Sequence, residues 1–408
     1  MIARRQVIAA GIGSLAAAFA TRVRAGVPPE LGQQPPNLPE GARTSAELVR
    51  IDGKLPLIKR TYRPPNFETP LKYFAEPITR NDAFFVRYHA AAIPEVNAGD
   101  WRLTVAGDGA SAQASFSLAE LQQRFTQVDV TAVCLCSGNR RGMFEPHVPG
   151  IQWGPGAMGN ARWSGVRLRD VLNAVGVRKE ALEVSFDGAD SALLTGPDFV
   201  KSIPLWKALE ADALIAFGMN GEPLPHWNGF PARLVVPGWT ATYWVKHLAR
   251  IDVLTQPSAS FWMRTGYRIP ANRFPVTERF VSQEAGGTTP ITEIAVSSLI
   301  VEPADGMRLA AGRGLEVRGI AWDGGAGIAR VEYSLDGGAT WRRADLGADF
   351  GRFSFRPWKI GLSPRERGPL ALQVRATNRL GVSQPEELIR NPAGYHHNII
   401  QRIVIEVV

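Results

Sequence analysis

An α+β domain followed by a β-sandwich of immunoglobulin type is the fold this sequence predicts, on two observations. Short strands and capped helical stretches alternate as far as residue 283, and beyond a Gly/Thr/Pro break at 286–290 only strands follow. A chain of 408 residues also exceeds one ordinary core, so several domains are expected. The expected divisions are an export signal at 1–25, an extended arm at 26–70, a catalytic domain at 71–283 and the sandwich at 284–408.

The start carries Arg4 and Arg5, an apolar run over 7–20 and the small-residue cleavage site Val23-Arg24-Ala25, the pattern of an export signal. Its apolar run is shorter than the roughly 20 residues of a bilayer span, so no permanent membrane anchor is expected. The paired arginines resemble a twin-arginine signal, used for proteins folded around a cofactor before export, and predict a periplasmic location. Half of the formal charge of +8 belongs to Arg4, Arg5, Arg22 and Arg24, and the remainder is dispersed, which argues against nucleic acid as a partner. Residues 26–70 are rich in proline and charge without periodicity, as in Pro28-Pro29, Pro35-Pro36 and Pro64-Pro65.

Within the next segment, Ala83-Phe84-Phe85-Val86 and Trp101-Arg102-Leu103-Thr104-Val105 have strand character. Ser117 caps a helix beginning Leu118-Ala119-Glu120-Leu121, and Leu168-Arg169-Asp170-Val171-Leu172 lies on another. In the last segment Leu315 to Ile320 and Ile328 to Ser334 alternate, and Asp336-Gly337-Gly338 is a tight-turn signal before Thr340-Trp341. Leu370 to Thr377 and Ile399 to Val407 continue the strands. No cysteine pair of the antibody type joins them.

Cys134 and Cys136 are the two cysteines of the chain. One residue apart on a strand they share a face, and so close a pair does not make an unstrained disulfide, which excludes a disulfide scaffold. They lie in Val133-Cys134-Leu135-Cys136-Ser137-Gly138-Asn139-Arg140-Arg141, a strand running into a Gly-Asn turn with two arginines. A cysteine exposed there beside guanidinium groups is set up as a nucleophile or as a soft-metal ligand. A second basic site, Phe84-Phe85-Val86-Arg87-Tyr88-His89, places Arg87 and His89 on one side of its strand.

Together these segments resemble the sulfite oxidase family of molybdenum-pterin enzymes, over most of residues 80–408. The similarity continues through Ala161 to Leu168, Met219-Asn220-Gly221-Glu222-Pro223-Leu224-Pro225, Gly229 to Arg233 with Val236-Pro237-Gly238, Trp244-Val245-Lys246, Trp262 with Tyr267, and Ser334 to Gly338 with Trp341. The resemblance implies a sulfite-oxidase-type molybdopterin-binding domain followed by an immunoglobulin-like dimerisation domain, and a molybdenum-molybdopterin cofactor. It makes Cys136 the metal ligand and Cys134 a core residue. It lines the substrate anion pocket with Arg87 and Arg141, completed by Trp153 and Tyr267. His89, Asp190, Asn228, Arg233 and Lys246 fall on positions that hold the pterin and its phosphate. Ala393 stands where some members carry a third guanidinium, Asn228 where eukaryotic members have a histidine and Pro149 where they have a lysine.

The implied reaction is oxidation of sulfite to sulfate by oxygen-atom transfer at a Mo(VI)-oxo centre, in a bacterial sulfite dehydrogenase. Paired guanidinium groups suit that substrate because each can offer two hydrogen bonds to a small dianion. The sequence lacks Cys-x-x-Cys-His and the cysteines of an iron–sulfur cluster, and leaves no room for a b-type haem domain before Phe84, so no haem is expected. An external c-type cytochrome is then the expected electron acceptor, and a homodimer one expected assembly. A periplasmic sulfoxide reductase of the same family is the alternative, disfavoured by the second domain. Assimilatory nitrate reductase is disfavoured by the export signal and by the absence of flavin and haem domains. A non-catalytic secreted binding protein is the alternative from another class, and metal analysis separates it.

Overall fold

The computed structural model describes residues 47–191 and 196–408. The expected export signal and the first part of the arm, 26–46, lie outside the described residues. From residue 47 the arm is not merely extended chain. Glu47–Val49, Leu57–Thr61 and Asn66–Glu68 are strands of a four-stranded antiparallel sheet completed by Val86–Arg87. Leu57 and Phe67 bury with Val86 and Tyr88 in a small core. That pairing sets Asn66 opposite Arg87.

The strand expected at Ala83–Val86 is shorter than its sequence suggests. Asn81–Ala83 is a 3-10 turn, and the strand is Val86–Arg87. Phe84 and Phe85 are both buried, stacked on each other at 5.5 Å, and Phe84 meets Trp163 edge-on. Two successive buried rings do not alternate between a wet and a dry face, so the chain turns to seat both.

Two further sheets enclose the core of the first domain. One runs in the order Lys201–Pro204, Glu183–Gly188, Leu248–Leu254, Leu103–Ala106, Ala114–Phe116, and the pair Leu248–Leu254 with Leu103–Ala106 is parallel. The other orders Glu222–Pro223, Leu214–Met219, Met158–Arg167 and Gln127–Leu135, with Arg233–Val235 also paired to Leu214–Met219. Helix Leu118–Arg124 starts in a capping box: Ser117 Oγ accepts from Glu120 N, and Ser117 N donates to the Glu120 carboxylate. Helix Leu168–Val175 buries Leu168, Val171, Leu172 and Val175, the i, i+3, i+4, i+7 face of an amphipathic helix. The shared core holds Trp153, Trp163, Trp239 and Trp244, all with essentially no exposure.

The second domain is built of two sheets. Ser297–Glu302, Leu315–Trp322, Arg356–Leu362 and Asp345–Leu346 form one; Met307–Leu309, Gln401–Val407, Gly368–Asn378, Ile328–Ser334 and Arg342–Arg343 form the other. Val317, Val331, Leu372, Val374 and Ile405 pack between them. At the predicted turn, Asp336 accepts from Thr340 N at 2.9 Å, and Gly337 and Gly338 take φ of 75° and 99°, which only glycine adopts without cost. The Gly/Thr/Pro break is no free linker, since Thr288–Pro290 pairs with Arg268–Pro270. A third core joins the two domains, with Phe74, Val133 and Met158 against Leu299, Ile320, Trp322 and Phe355. Among the described residues no helix is long and apolar enough to cross a membrane.

Candidate active site

Gln127–Leu135 pairs antiparallel with Met158–Arg167, Cys134 opposite Gly159 and Leu135 opposite Met158. The strand ends there, and Cys136 N donates to Ala157 O at 3.0 Å. A tight loop follows, with Asn139 N donating to Cys136 O and Arg141 N to Gly138 O, both at 2.9 Å. Asn139 Oδ1 locks it by accepting from Ala157 N at 3.0 Å. A Cβ on Gly138 would come within 2.6 Å of the Arg141 guanidinium, so a side chain there would displace that group.

Cys136 is thereby set on the wall of a cavity with about 720 Å³ of empty space, counting its open mouth. Arg87, His89, Asp190, Asn228, Arg233, Lys246 and Tyr267 line the same cavity. Eight of the ten predicted site residues thus converge, from segments spread over 180 residues of sequence.

The two thiols differ. Cys134 is fully buried, its Sγ 3.8 Å from Arg233 Nη2, and burial pushes its thiol up to about 11. It therefore stays protonated at neutral pH, as a core cysteine should. Cys136 has a small exposure of 8% and stands at the start of the turn.

Around them is a cradle of cations. Arg233 Nη1 donates to Asn228 O at 3.0 Å and Nη2 to Trp244 O at 3.1 Å, while its guanidinium lies over Trp163 and its Nε has no partner. Lys246 Nζ donates to Arg87 O and sits 3.3 Å from the Tyr88 ring centroid; burial, only partly offset by Asp190, pulls it down to about 7. Burial likewise pushes Asp190 up, with Lys246 opposing. Asn228 Oδ1 accepts from Lys54 Nζ at 3.0 Å, and burial pulls that lysine down to about 7. Arg87 Nη1 is held by Asn66 Oδ1 at 3.3 Å and by the Tyr88 carbonyl. Among the described residues Arg87, Arg233 and Lys246 form no ion pair, and Asp190 is the one carboxylate on the cavity wall. Such a site favours an anionic occupant.

Tyr267 closes one side. Its hydroxyl meets His89 Nε2 at 2.5 Å, its ring stacks on Tyr395 at 5.9 Å, and its φ of 58° is rare for a non-glycine residue. His89 stacks on Phe199 at 4.1 Å and is drawn well below the usual imidazole range by burial and then by Arg87, Lys246 and Lys201. It is neutral, so it can exchange either role in the hydrogen bond with Tyr267.

The other two of the ten lie beside this cavity rather than on its lining. Trp153 is fully buried in the main core, and its Nε1 has no hydrogen-bond partner. Arg141 is close to the site but off its lining. Its Nε donates to Ala393 O at 2.8 Å and its Nη1 to Ile151 O at 3.3 Å, and the guanidinium lies 5.2 Å from the Tyr395 ring centroid. It braces Tyr395, which braces Tyr267. The segment with Ala393 in place of a guanidinium is thus the segment that turns Arg141 toward its backbone.

Some residues at the site are not among those the sequence singled out. Lys201 is buried, donates to Trp262 O at 2.7 Å and lies 5.2 Å from the Tyr267 ring centroid. Tyr88 donates to His247 Nε2 at 2.8 Å, since His247 Nδ1 must donate to Phe230 O at 2.7 Å. A lysine inside the apolar run Phe199-Val200-Lys201-Ser202-Ile203 was the visible hint for the first.

A single solvent-reaching thiol in a cationic pocket, with no other cluster of three or more His, Cys, Asp or Glu among the described residues, suits a soft metal whose remaining ligands come from an anionic cofactor. This is the site of a molybdopterin-binding oxidoreductase. The family model for the oxidoreductase molybdopterin binding domain matches residues 89–262, and that for the Mo-co oxidoreductase dimerisation domain matches 288–408. The chain is 34% identical to the mitochondrial sulfite oxidase of Rattus norvegicus over 361 residues, covering 85% of this chain and 65% of that protein. It is 31% identical to a nitrate reductase of Hordeum vulgare, covering 88% of this chain and 42% of that one. Among solved structures it is similar to the sulfane dehydrogenase SoxCD from Paracoccus pantotrophus, with a TM-score of 0.73 and 25% identity over 97% of both chains. The chain belongs to the sulfite oxidase family of molybdenum-pterin enzymes.

Proposed function

We propose that this protein oxidises sulfite to sulfate with a molybdenum-molybdopterin cofactor and passes the electrons to a separate c-type cytochrome. The observation that carries the reading is the convergence of Cys136, Arg87, His89 and Tyr267 on one cavity whose wall also holds Arg233 and Lys246. The residues fit the cofactor: Cys136 would ligate the metal, and Arg233 and Lys246, cations without acidic partners at bonding distance, would hold the anionic pterin phosphate. When bound, the metal centre supplies oxygen-atom transfer and accepts two electrons.

The protein's own groups would do the rest. Arg87, fixed by Asn66 and the Tyr88 carbonyl, offers a guanidinium to the substrate oxygens. Tyr267 presents a phenol whose pKa burial raises, so it remains a proton donor while His89 orients it. Phe199 and Trp262, packed on His89, restrict water on that side.

Around this reaction we place a periplasmic location, from the twin-arginine-type start, and a homodimer through residues 288–408, whose two sheets we read as an immunoglobulin-type sandwich. Oxidation of a sulfane sulfur is the second reading, supported by the end-to-end likeness to SoxCD. The test is metal analysis of purified protein, then steady-state turnover of sulfite with ferricyanide and with cytochrome c. One molybdenum per chain, sulfite-dependent reduction of both acceptors and no haem absorbance are expected. Metal-loaded protein that leaves sulfite untouched but oxidises a sulfane donor selects the second reading, and protein that takes up no molybdenum refutes both.

A further inference from the structure

We propose that a small cavity between the two domains, walled by Arg140, Trp322 and His397, binds a small inorganic anion that ties the domains together. The proposal is independent of which substrate is oxidised.

Arg140 follows the Cys136 turn but is not on the wall of the active-site cavity. Its backbone adopts a φ of 65°, which turns the side chain toward the second domain, where Nη1 donates to Ser297 Oγ at 3.1 Å and Nη2 to Ser298 O at 2.9 Å. The residue is 3% exposed and lies 5.6 Å from the Trp322 ring centroid. Both acceptors are neutral, and among the described residues no carboxylate forms an ion pair with it. Burial alone brings its pKa down to about 10. A guanidinium at that value is still charged at neutral pH, so a full positive charge sits in the interior without a counter-charge.

The cavity itself measures about 340 Å³ of empty space, counting its opening. Two of its walls carry buried N–H donors with no acceptor, Arg140 Nε and Trp322 Nε1, and His397 Nδ1 is also without a partner. Thr240, also on the wall, accepts from Ser137 Oγ at 2.9 Å, which leaves its own hydroxyl proton to donate. Two orphan N–H donors on the wall of one cavity are uncommon in native interiors. A water molecule could accept from two of them, but it would leave the guanidinium charge uncompensated, and an unpaired buried charge is the costlier defect. An anion meets both needs. The small space and the mixture of one charged and several neutral donors suit a halide or a single oxyanion rather than an organic acid. The walls come from the Cys136 loop, the 240 turn, the strand at Ser297, Trp322 and the 396–398 segment, so the occupant would bridge both domains.

The test uses the full-length holoenzyme. Thermal unfolding is followed while chloride, or separately sulfate, replaces gluconate at constant ionic strength, and crystals soaked in bromide are examined for anomalous density. Expected are a rise in Tm with the bound ion and a bromide peak within hydrogen-bonding distance of Arg140 Nε. If sulfate but not chloride raises Tm, the anion is an oxyanion and density for sulfate replaces the bromide peak. Arg140→Gln should weaken the anion's apparent affinity at least about tenfold, the worth of a charge-assisted hydrogen bond. The milder Trp322→Phe keeps the ring and removes one neutral donor, so it should weaken affinity by roughly two- to tenfold. An empty or water-filled cavity at high bromide and sulfate, with the same ion response in wild type and Trp322→Phe, would overturn the proposal.

Discussion

Replacing Arg87 tests the substrate side of the pocket most directly. Its Nη1 is anchored by Asn66 Oδ1 and the Tyr88 carbonyl, so the guanidinium is held in place before an anion arrives and little ordering cost remains. Arg87→Gln keeps a polar head group but removes the charge and the planar fork. A charge-assisted hydrogen bond contributes about 1.5–3 kcal/mol, and each ~1.4 kcal/mol is a factor of ten, so kcat/KM for sulfite should fall by roughly tenfold to hundredfold. Because the contact exists in the bound substrate as well as during reaction, much of the loss should lie in KM. Arg87→Lys should recover only part, since an ammonium supplies charge without the fork. Arg141→Gln is the informative comparison. Its guanidinium is committed to Ala393 O and Ile151 O, so its loss should lower Tm and loosen Tyr395 rather than raise KM alone. The assay is steady-state sulfite oxidation with ferricyanide, normalised to molybdenum content. An Arg87→Gln enzyme fully loaded with metal and unchanged in KM would refute the reasoning.

Cys136→Ser should lose nearly all metal and activity, while Cys134→Ala, a core thiol pushed up to about 11, should keep most of both; metal analysis of the two variants decides, and the reverse ranking would reassign the ligand. Tyr267→Phe removes the hydroxyl that meets His89 and should lower kcat at least about tenfold, with a smaller change in KM; an unchanged kcat and pH profile would remove the phenol from the proton path. Lys54 titrates near 7 in the fold and near 10.5 when unfolded, so between those values the unfolded chain binds the additional proton and stability rises with pH. Relative to Lys54→Met, wild type should therefore gain stability from about pH 7 toward 10.5, by at most about 1.4 kcal/mol per pH unit; denaturant titrations at pH 7 and 9.5 measure it, and a flat difference would show that the ammonium is solvated.

Local chemistry made much of this protein legible from its sequence. The Ser117 cap with Glu120 three residues on, the apolar face from Leu168 to Val175, and the Asp336-Gly337-Gly338 turn each involve partners within a few residues, so spacing alone specifies them. Cys136 belongs with these, because the end of a strand and the Gly-Asn turn that exposes it are written in consecutive residues. The family blocks then brought Arg87, His89, Arg233, Lys246 and Tyr267 to one site before any fold was known. What the tertiary structure alone decided depends on contacts between distant segments. Strands at 47–68 exist because Leu57 and Phe67 find Val86 and Tyr88, although a proline-rich composition hides them. The directions of Arg141 and Trp153 are settled by Ala393, Ile151 and the main core. Lys201 under Tyr267 and Arg140 against Trp322 have no periodic signature at all. A side chain's residue type is local information, whereas the cavity or carbonyl it meets is set by chain segments that packing brings together from far along the sequence.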